Sequence, residues 1–307
     1  MLQAVERSGN VVDLIGHTPL LRLRSFEQDL APGVELYAKA EWYNPGGSVK
    51  DRAALQMVLE AERSGALRPG TTLLEATSGN TGIALAMLGA ARGYPVKLCI
   101  PGHVSEERKR ILRAYGAELV FTDPMALTDG AQREARRLYD ECPERYYYTD
   151  QYSNPANWRA HYLTTAPEIW GQTEGRITHW VAGLGTSGTF VGTTRRLKEL
   201  NPGIRCVSAQ PAQPLYLLDG WKHMETAMVP RIYDSSLADD NLWVEDEDAL
   251  EMVRLLARRE GLLVSPSAGG ALWAALQVAR GLRSGVVVTL FADNAMKYLS
   301  KEFWDQL

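Results

Sequence analysis

Several features that define other protein classes are missing from this sequence of 307 residues. It has only three cysteines, with no Cys-x-x-Cys pair, and its five histidines are scattered without metal-ligand spacing. This pattern argues against a disulfide framework and predicts no metal site. No apolar run approaches the roughly 18–20 residues that a membrane-spanning helix needs, and the first 14 residues lack the apolar core of a signal peptide. We therefore predict a cytoplasmic protein that does not associate with a membrane.

A surplus of positive charge is also absent. The chain has 33 Lys and Arg against 37 Asp and Glu, a formal net charge of −4. Nothing in this balance favours nucleic-acid binding driven by counterion release. The composition is 45% hydrophobic and 23% charged, which is typical of globular proteins and excludes a disordered chain. The length favours two domains, because one core rarely grows beyond about 250–300 residues.

What the sequence does contain is an alternation of short β-rich runs and longer helical stretches. The patterns predict strands at 34–40, 72–76, 96–100, 118–122, 178–182, 204–209 and 285–291, and helices at 49–63, 80–92, 106–115, 128–142, 189–200, 246–260 and 268–281. Apolar strands between helices indicate an α/β protein with open, mostly parallel twisted sheets flanked by helices.

We expect the domains to cover residues 1–150 and 151–307, with part of 10–45 packing against the second domain. The irregular segment 211–241, rich in Pro, Asp, Met and Trp, is typical of a functional loop because it is long for a compact protein.

A glycine-rich turn follows the predicted strand 178–182. Gly183-Leu-Gly-Thr-Ser-Gly-Thr189 opens a helix, so its backbone N–H groups and hydroxyls can surround a phosphate. Its three glycines also fit the Gly-x-Gly-x-x-Gly dinucleotide fingerprint. No carboxylate stands at the end of the next strand to hold a ribose. A phosphate site, a dinucleotide site and a tight turn without a ligand remain the alternatives.

A second turn, Thr77-Ser-Gly-Asn-Thr-Gly82, also links a strand to a helix. Its hydroxyls, amide and helix N-terminus suit an anion the size of a carboxylate. The alternative is a Ser or Thr helix cap followed by permissive glycines.

Lys50 follows the Gly/Pro turn Asn44-Pro-Gly-Gly-Ser48 and lies in the first turn of a predicted helix, which Ser48 is placed to cap. The helix dipole disfavours a cation there. Burial would lower the pKa further and free the amine for Schiff-base chemistry. A solvated surface lysine is the alternative. Beside a phosphate site and a carboxylate site, Lys50 becomes a candidate anchor for a phosphate-bearing aldehyde such as pyridoxal 5′-phosphate.

The ordered set Asn44–Arg52, Thr77–Gly82 and Gly185–Thr189 resembles the β-family of pyridoxal-phosphate enzymes, and most closely the B-type branch of the cysteine synthases (O-acetylserine sulfhydrylases). Leu14-Ile-Gly-His-Thr-Pro-Leu20 and Asp150-Gln-Tyr-Ser-Asn-Pro-Ala-Asn157 add to the resemblance, which covers about residues 10–300. It implies fold-type II, the architecture of the tryptophan synthase β-chain, with pyridoxal 5′-phosphate as cofactor and a homodimeric assembly.

The resemblance also implies a role for each site residue. Lys50 would hold the cofactor as a Schiff base and act as the base at the substrate Cα, Asn80 would bond the ring 3′-oxygen, and Ser267 would meet the pyridine nitrogen. A plain helix cap is the alternative for Ser267. The phosphate would be bound by Gly185, Thr186, Ser187, Gly188 and Thr189, and the substrate carboxylate by Thr77, Ser78, Gly79, Thr81 and Gln151.

The implied reaction is β-replacement that makes cysteine from an activated serine and sulfide. Lys222, in an irregular segment, matches a basic residue that faces the donor side chain and in some relatives binds the phosphate of O-phosphoserine; a solvated loop lysine is the alternative. The donor stays open between O-acetylserine and O-phosphoserine, and the acceptor between sulfide, thiosulfate and a protein thiocarboxylate. Cystathionine β-synthase, a serine or threonine dehydratase, and a non-catalytic protein on the same scaffold are the competing hypotheses.

Overall fold

Two β-sheets form the framework of the protein. The computed structural model describes residues 9–77 and 79–306. Strands β1 to β10 lie at Leu20–Arg22, Gly33–Ala40, Thr72–Ala76, Val96–Pro101, Glu118–Thr122, Tyr146–Tyr148, His179–Gly183, Arg205–Pro211, Asp240–Val244 and Ser284–Phe291. Helices α1 to α10 lie at Arg24–Glu27, Lys50–Ser64, Asn80–Arg92, Glu106–Ala114, Leu127–Glu141, Pro155–Ala160, Ala166–Gln172, Gly188–Leu200, Asp246–Glu260 and Pro266–Arg280. A π-helical turn at His161–Thr165 joins α6 to α7.

The smaller sheet has four parallel strands in the order β5-β4-β3-β6. Successive side chains of a strand point to opposite faces, and both faces of β3 are buried. Leu73 packs in the core shared with α2, α3 and α4, whereas Leu74 packs against Ala131 and Ala135 of α5. Helices therefore cover both faces, as the continuous apolar strands predict.

The larger sheet has six strands in the order β1-β2-β10-β7-β8-β9, and only the β1–β2 pair is antiparallel. On β7, Val181 packs in the core beneath α9 and α10, while its neighbours Trp180 and Ala182 pack in the core with α7 and α8. The N-terminal strands β1 and β2 thus join a sheet whose other strands come from residues 179–291.

The predicted α/β class with two mostly parallel sheets is confirmed, and each of the predicted strands and helices appears within two residues of its bounds. Strands β1, β6 and β9 and helices α1, α6 and α7 were not predicted. Strands β1 and β6 have three residues each, too few for a period to emerge. The irregular segment 211–241 is confirmed as a loop over residues 212–239, apart from one short 3₁₀ turn. Over the described ranges, no helix combines the length and apolarity that a membrane span requires.

Candidate active site

A cleft lies between the two sheets, and residues at the carboxyl ends of parallel strands of both sheets line it. Thr77 follows β3, Gln151 follows β6, Gly183 ends β7 and Ala292 follows β10, and all four line the cleft. Ligands of open parallel sheets bind at this edge. The cleft is also lined by most of the predicted site residues, namely Lys50, Asn80, Thr81, Gly185, Thr186, Ser187, Thr189, Lys222 and Ser267.

Lys50 is the first residue of α2 and its side chain is half-buried at the cleft wall. Burial lowers the pKa of its amine to about 8, and the nearby Asp293 carboxylate opposes that shift. Roughly a fifth of the amine is therefore neutral near pH 7.4, far more than for an ordinary lysine with a pKa of about 10.4. The prediction that Ser48 caps this helix needs adjustment: Val49 occupies the cap position, and Ser48 Oγ accepts from the Lys50 N–H at 3.3 Å.

The segment around Trp221 packs so closely against the turn after β7 that the turn has room only for glycine at Gly183 and Gly185. A Cβ on Gly183 would lie 1.9 Å from the Trp221 ring, and a Cβ on Gly185 would lie 2.0 Å from the Gly220 carbonyl oxygen. Gly188 does not line the cleft, but a Cβ on it would lie 2.0 Å from Asn157 Oδ1. Real side chains do not tolerate such distances, so these positions must be glycine for the turn to sit where it does.

Hydroxyl groups supply the polar lining of this turn. Ser187 adopts the left-handed conformation (φ +69°), and its Oγ is buried without a hydrogen-bond partner among the described residues. Buried hydroxyls without partners are rare, so this one is suited to bind a ligand or a water molecule. Thr186 Oγ1 accepts from Asn157 Nδ2 at 3.0 Å, and Thr189 Oγ1 lies 3.3 Å from His161 Nε2. The turn therefore has the geometry of an anion cradle, with the Ser187 hydroxyl as a donor that no described residue uses.

The turn after β3 forms the opposite wall. Thr77 Oγ1 accepts from the N–H groups of Gly79 and Gly82 at 2.9 and 3.3 Å, which leaves its hydroxyl proton available. Gly79 has a φ of +144° and does not itself line the cleft. Thr81 Oγ1 donates to Gln151 Oε1 at 2.7 Å. Ser78, predicted for the same carboxylate site, lies outside the described residues.

Glu75, near the end of β3, connects this turn to the segment that carries Gln151. The sequence did not predict this role. Its buried carboxylate accepts from the Gln151 N–H at 3.0 Å, from the Ala76 N–H at 2.7 Å, and from the Thr149 hydroxyl. Burial raises the pKa of Glu75 to about 8 in spite of these hydrogen bonds. The sequence showed only one acid inside an apolar strand, which does not reveal that Thr149 and Gln151, 74 and 76 residues farther along the chain, are its partners.

Asn80 belongs to a second buried cluster that the sequence did not reveal. Its Nδ2 donates to Asp293 Oδ2 at 2.8 Å, and its Oδ1 accepts from Lys297 Nζ at 3.1 Å. Lys297 also donates to the Gly47 carbonyl at 2.8 Å, and the Tyr298 hydroxyl donates to Asp293 Oδ2 at 2.8 Å. The cluster fixes the orientation of the Asn80 amide and joins α3 to the turn that precedes Lys50.

Ser267 lies in the first turn of α10, lines the cleft and is buried. The cap of this helix is Ser265, whose Oγ accepts from the Ala268 N–H. The alternative interpretation of Ser267 as the cap is therefore wrong. Its Oγ lies 3.1 Å from Ser265 Oγ, so an uncharged pair of hydroxyls stands at this end of the cleft.

Lys222 is not the solvated loop lysine that was the alternative, because only 3% of its surface is exposed. Its Nζ donates to Asp129 Oδ1 at 2.8 Å and lies 5.0 Å from the centre of the Tyr152 ring. The cation thus lies in the cleft already paired with a carboxylate.

These groups fit a phosphate-bearing aldehyde. The unpartnered Ser187 hydroxyl and the glycine cradle suit the phosphate, and the lowered pKa of Lys50 suits Schiff-base formation. A neutral hydroxyl at Ser267 suits a ring nitrogen. Pyridoxal 5′-phosphate carries all three matching groups.

Comparisons with known proteins agree with this chemistry. Residues 11–293 match the pyridoxal-phosphate dependent enzyme family. The chain is 50% identical to a cysteine synthase of Aquifex aeolicus, covering 94% of this chain and 90% of that one. It is 44% identical to cysteine synthase B of Salmonella typhimurium, covering 93% of each.

Solved structures give the same answer for the fold. The cysteine synthase of Entamoeba histolytica superimposes with a TM-score of 0.93 at 32% identity, covering 98% of this chain and 92% of that one. An O-ureido-L-serine synthase superimposes with a TM-score of 0.90 at 35% identity, covering 98% and 96%. The predicted family, fold-type II architecture and cofactor are confirmed. The chain therefore belongs to the pyridoxal-phosphate dependent enzymes, in the group of the cysteine synthases.

Proposed function

We propose that this protein makes L-cysteine by replacing the β-substituent of an activated serine, O-acetyl-L-serine or O-phospho-L-serine, with sulfide or another sulfur donor. One observation carries the proposal: the Lys50 amine, the anion cradle around Ser187 and the turn beginning at Thr77 all line a single cleft. Similarity to cysteine synthases over nearly the whole chain supports it.

The cofactor, when bound, supplies the electron sink that weakens the bonds at the substrate Cα and Cβ. We assign its phosphate to Gly185, Thr186, Ser187, Gly188 and Thr189, its ring oxygen to Asn80 and its ring nitrogen to Ser267. An uncharged hydroxyl does not keep that nitrogen protonated, which favours replacement at Cβ over transamination.

Lys50 is the acid–base group in this proposal. With its pKa near 8, Nζ can accept the Cα proton and return it once sulfur has added. The substrate carboxylate is assigned to Thr77, Ser78, Gly79 and Thr81 with Gln151, at the N-terminus of α3, where the helix dipole favours an anion.

The test is cysteine formation from O-acetylserine and sulfide by the cofactor-loaded protein. Removing the acid–base group with K50A is expected to lower the rate by roughly 100- to 10,000-fold. K198A removes a lysine that pairs with Asp239 away from the cleft and serves as the control. Pyruvate formed from serine, or ketobutyrate formed from threonine, without sulfide would indicate a dehydratase. Cystathionine formed from serine and homocysteine would indicate cystathionine β-synthase. A loaded protein inert in all three assays would support a non-catalytic role.

We further propose that the protein is a cytoplasmic homodimer. The resemblance to cysteine synthases supports the dimer, and the unpaired cysteines Cys99, Cys142 and Cys206 are consistent with a reducing compartment. Light scattering coupled to size-exclusion chromatography tests the dimer, and a mass of one chain, 34.0 kDa, would refute it.

A further inference from the structure

Two cations that line the cleft each have a carboxylate partner. Lys222 Nζ lies 2.8 Å from Asp129 Oδ1, and Arg108 Nη1 lies 3.2 Å from Asp219 Oδ2. Both cations are almost fully buried, with 2% of Arg108 and 3% of Lys222 exposed. In a poorly solvated cleft, a paired cation offers far less attraction to an incoming anion than a free one.

Asp129 is held in place by more than Lys222. It lies in the first turn of α5, where the helix dipole favours a carboxylate. Its Oδ2 accepts from the Met228 N–H at 2.9 Å, and its Oδ1 accepts from Gln132 Nε2 at 3.3 Å. Moving the Asp129 carboxylate away from Lys222 would therefore also break its hydrogen bonds with Met228 and Gln132.

Lys222 is also held by contacts other than its pair with Asp129. Its backbone N–H donates to the Leu184 carbonyl at 2.7 Å, beside the glycine-rich turn, and its ammonium lies over Tyr152, which lines the cleft. Thr128, the neighbour of Asp129, also lines the cleft. Lys222 thus lines the cleft, and Asp129 is paired with it from the residue next to the cleft-lining Thr128.

We propose that Asp129 determines the charge of the amino-acid donor: by neutralising Lys222, it makes the cleft accept a serine ester with an uncharged leaving group and reject O-phosphoserine. A phosphate at Lys222 would bring up to two negative charges against a fixed carboxylate. An acetyl ester presents only a carbonyl oxygen, to which the ammonium can still donate because it has three N–H groups. This inference rests on the proposed function, since both donors serve the same β-replacement.

The experiment compares kcat/KM for O-acetylserine and O-phosphoserine with saturating sulfide. The cofactor-loaded wild type, D129N and D129S are measured together with D129N/K222M. D140N removes an equal charge from the exposed face of the same helix and is the matched control.

Wild type should prefer O-acetylserine. D129N and D129S should shift the ratio toward O-phosphoserine by about tenfold or more, because like charges in contact disfavour binding strongly. The shift should vanish in D129N/K222M and be absent in D140N.

Equal use of both donors by the wild type would overturn the inference, as would an unchanged ratio in both D129N and D129S. In either case cysteine formation from O-acetylserine would leave the proposed function standing. If the wild type made no cysteine from O-acetylserine and none from O-phosphoserine, the proposed function would be overturned, and this inference with it.

Discussion

At the scale of single residues, the most informative group is the amine of Lys50. Burial lowers its pKa to about 8, against the pull of Asp293. Because the neutral amine is the form that attacks an aldehyde, capture of pyridoxal phosphate by the cofactor-free protein should rise with pH and reach half its maximum near pH 8. Stopped-flow absorbance across pH 6–11 measures this. D293N removes the charge that raises the pKa and should move the midpoint lower; a wild-type midpoint near 10.5 would show an ordinary solvated lysine.

A second prediction concerns Gly185. A Cβ there would lie 2.0 Å from the Gly220 carbonyl oxygen, so G185A must move either the glycine-rich turn or the segment around Trp221. Overpacking of this kind typically costs about 1–3 kcal/mol. We expect weaker binding of pyridoxal phosphate and a lower midpoint of thermal unfolding.

The matched control is G171A in α7, where an added Cβ meets no atom within 4 Å. This variant should be neutral or slightly stabilising, because alanine restricts the unfolded chain. If G185A and G171A had the same unfolding midpoint and the same affinity for pyridoxal phosphate, the close approach at Gly185 would be refuted.

At the scale of elements, Glu75 connects the end of β3 to the segment that carries Gln151. Burial raises the pKa of this carboxyl to about 8 in the folded state, well above an unfolded value near 4.3. The folded protein therefore binds the proton more tightly, and its stability falls as pH rises through that interval, by up to about 1.4 kcal/mol per pH unit.

The variant E75Q has no proton to lose at this position. The free energy of unfolding of wild type minus that of E75Q, from urea titrations at pH 5 to 8, should therefore decrease as pH rises. A difference that stays constant with pH would show that Glu75 does not titrate in this interval.

Another element-scale prediction concerns Arg52, which joins α2 to α7 and to Glu41, the residue after β2. Its guanidinium donates to Glu41 at 2.7 Å and to Glu168 at 2.6 Å, and Lys39 Nζ lies 2.7 Å from Glu168. R52M would leave the buried Glu41 without its main cationic partner, a change that typically costs about 3–5 kcal/mol. Urea unfolding measures the loss. R137M breaks pairs with Glu134 and Glu141 on the exposed face of α5 and should change the free energy of unfolding little. Equal losses of stability in R52M and R137M would refute the larger cost expected for the buried pair.

At the scale of the whole molecule, the sequence predicted what depends on local pattern. The period and apolarity of the sequence predicted β3, α3 and α9 to the residue. Most of the site residues that the motif resemblance selected line one cleft in the structure. What the sequence missed depends on long-range contact. Asp293 and Lys297 meet Asn80 across more than 200 residues, and no local rule pairs them. Asp129 likewise looks like a solvated helix acid until the fold brings Lys222 to it.

The assignment of the whole site depends on Lys50 being the residue that holds pyridoxal phosphate in this cleft. The most direct measurement is borohydride reduction of the cofactor-loaded protein, followed by peptide mass spectrometry to locate the pyridoxyl group. Lys222 lies in the same cleft and Lys297 borders it, so the experiment chooses among three nearby amines. We expect the label on Lys50 and its loss in K50A. A label on Lys222 or Lys297, or a wild-type protein that takes up no label, would contradict the assignment of Lys50.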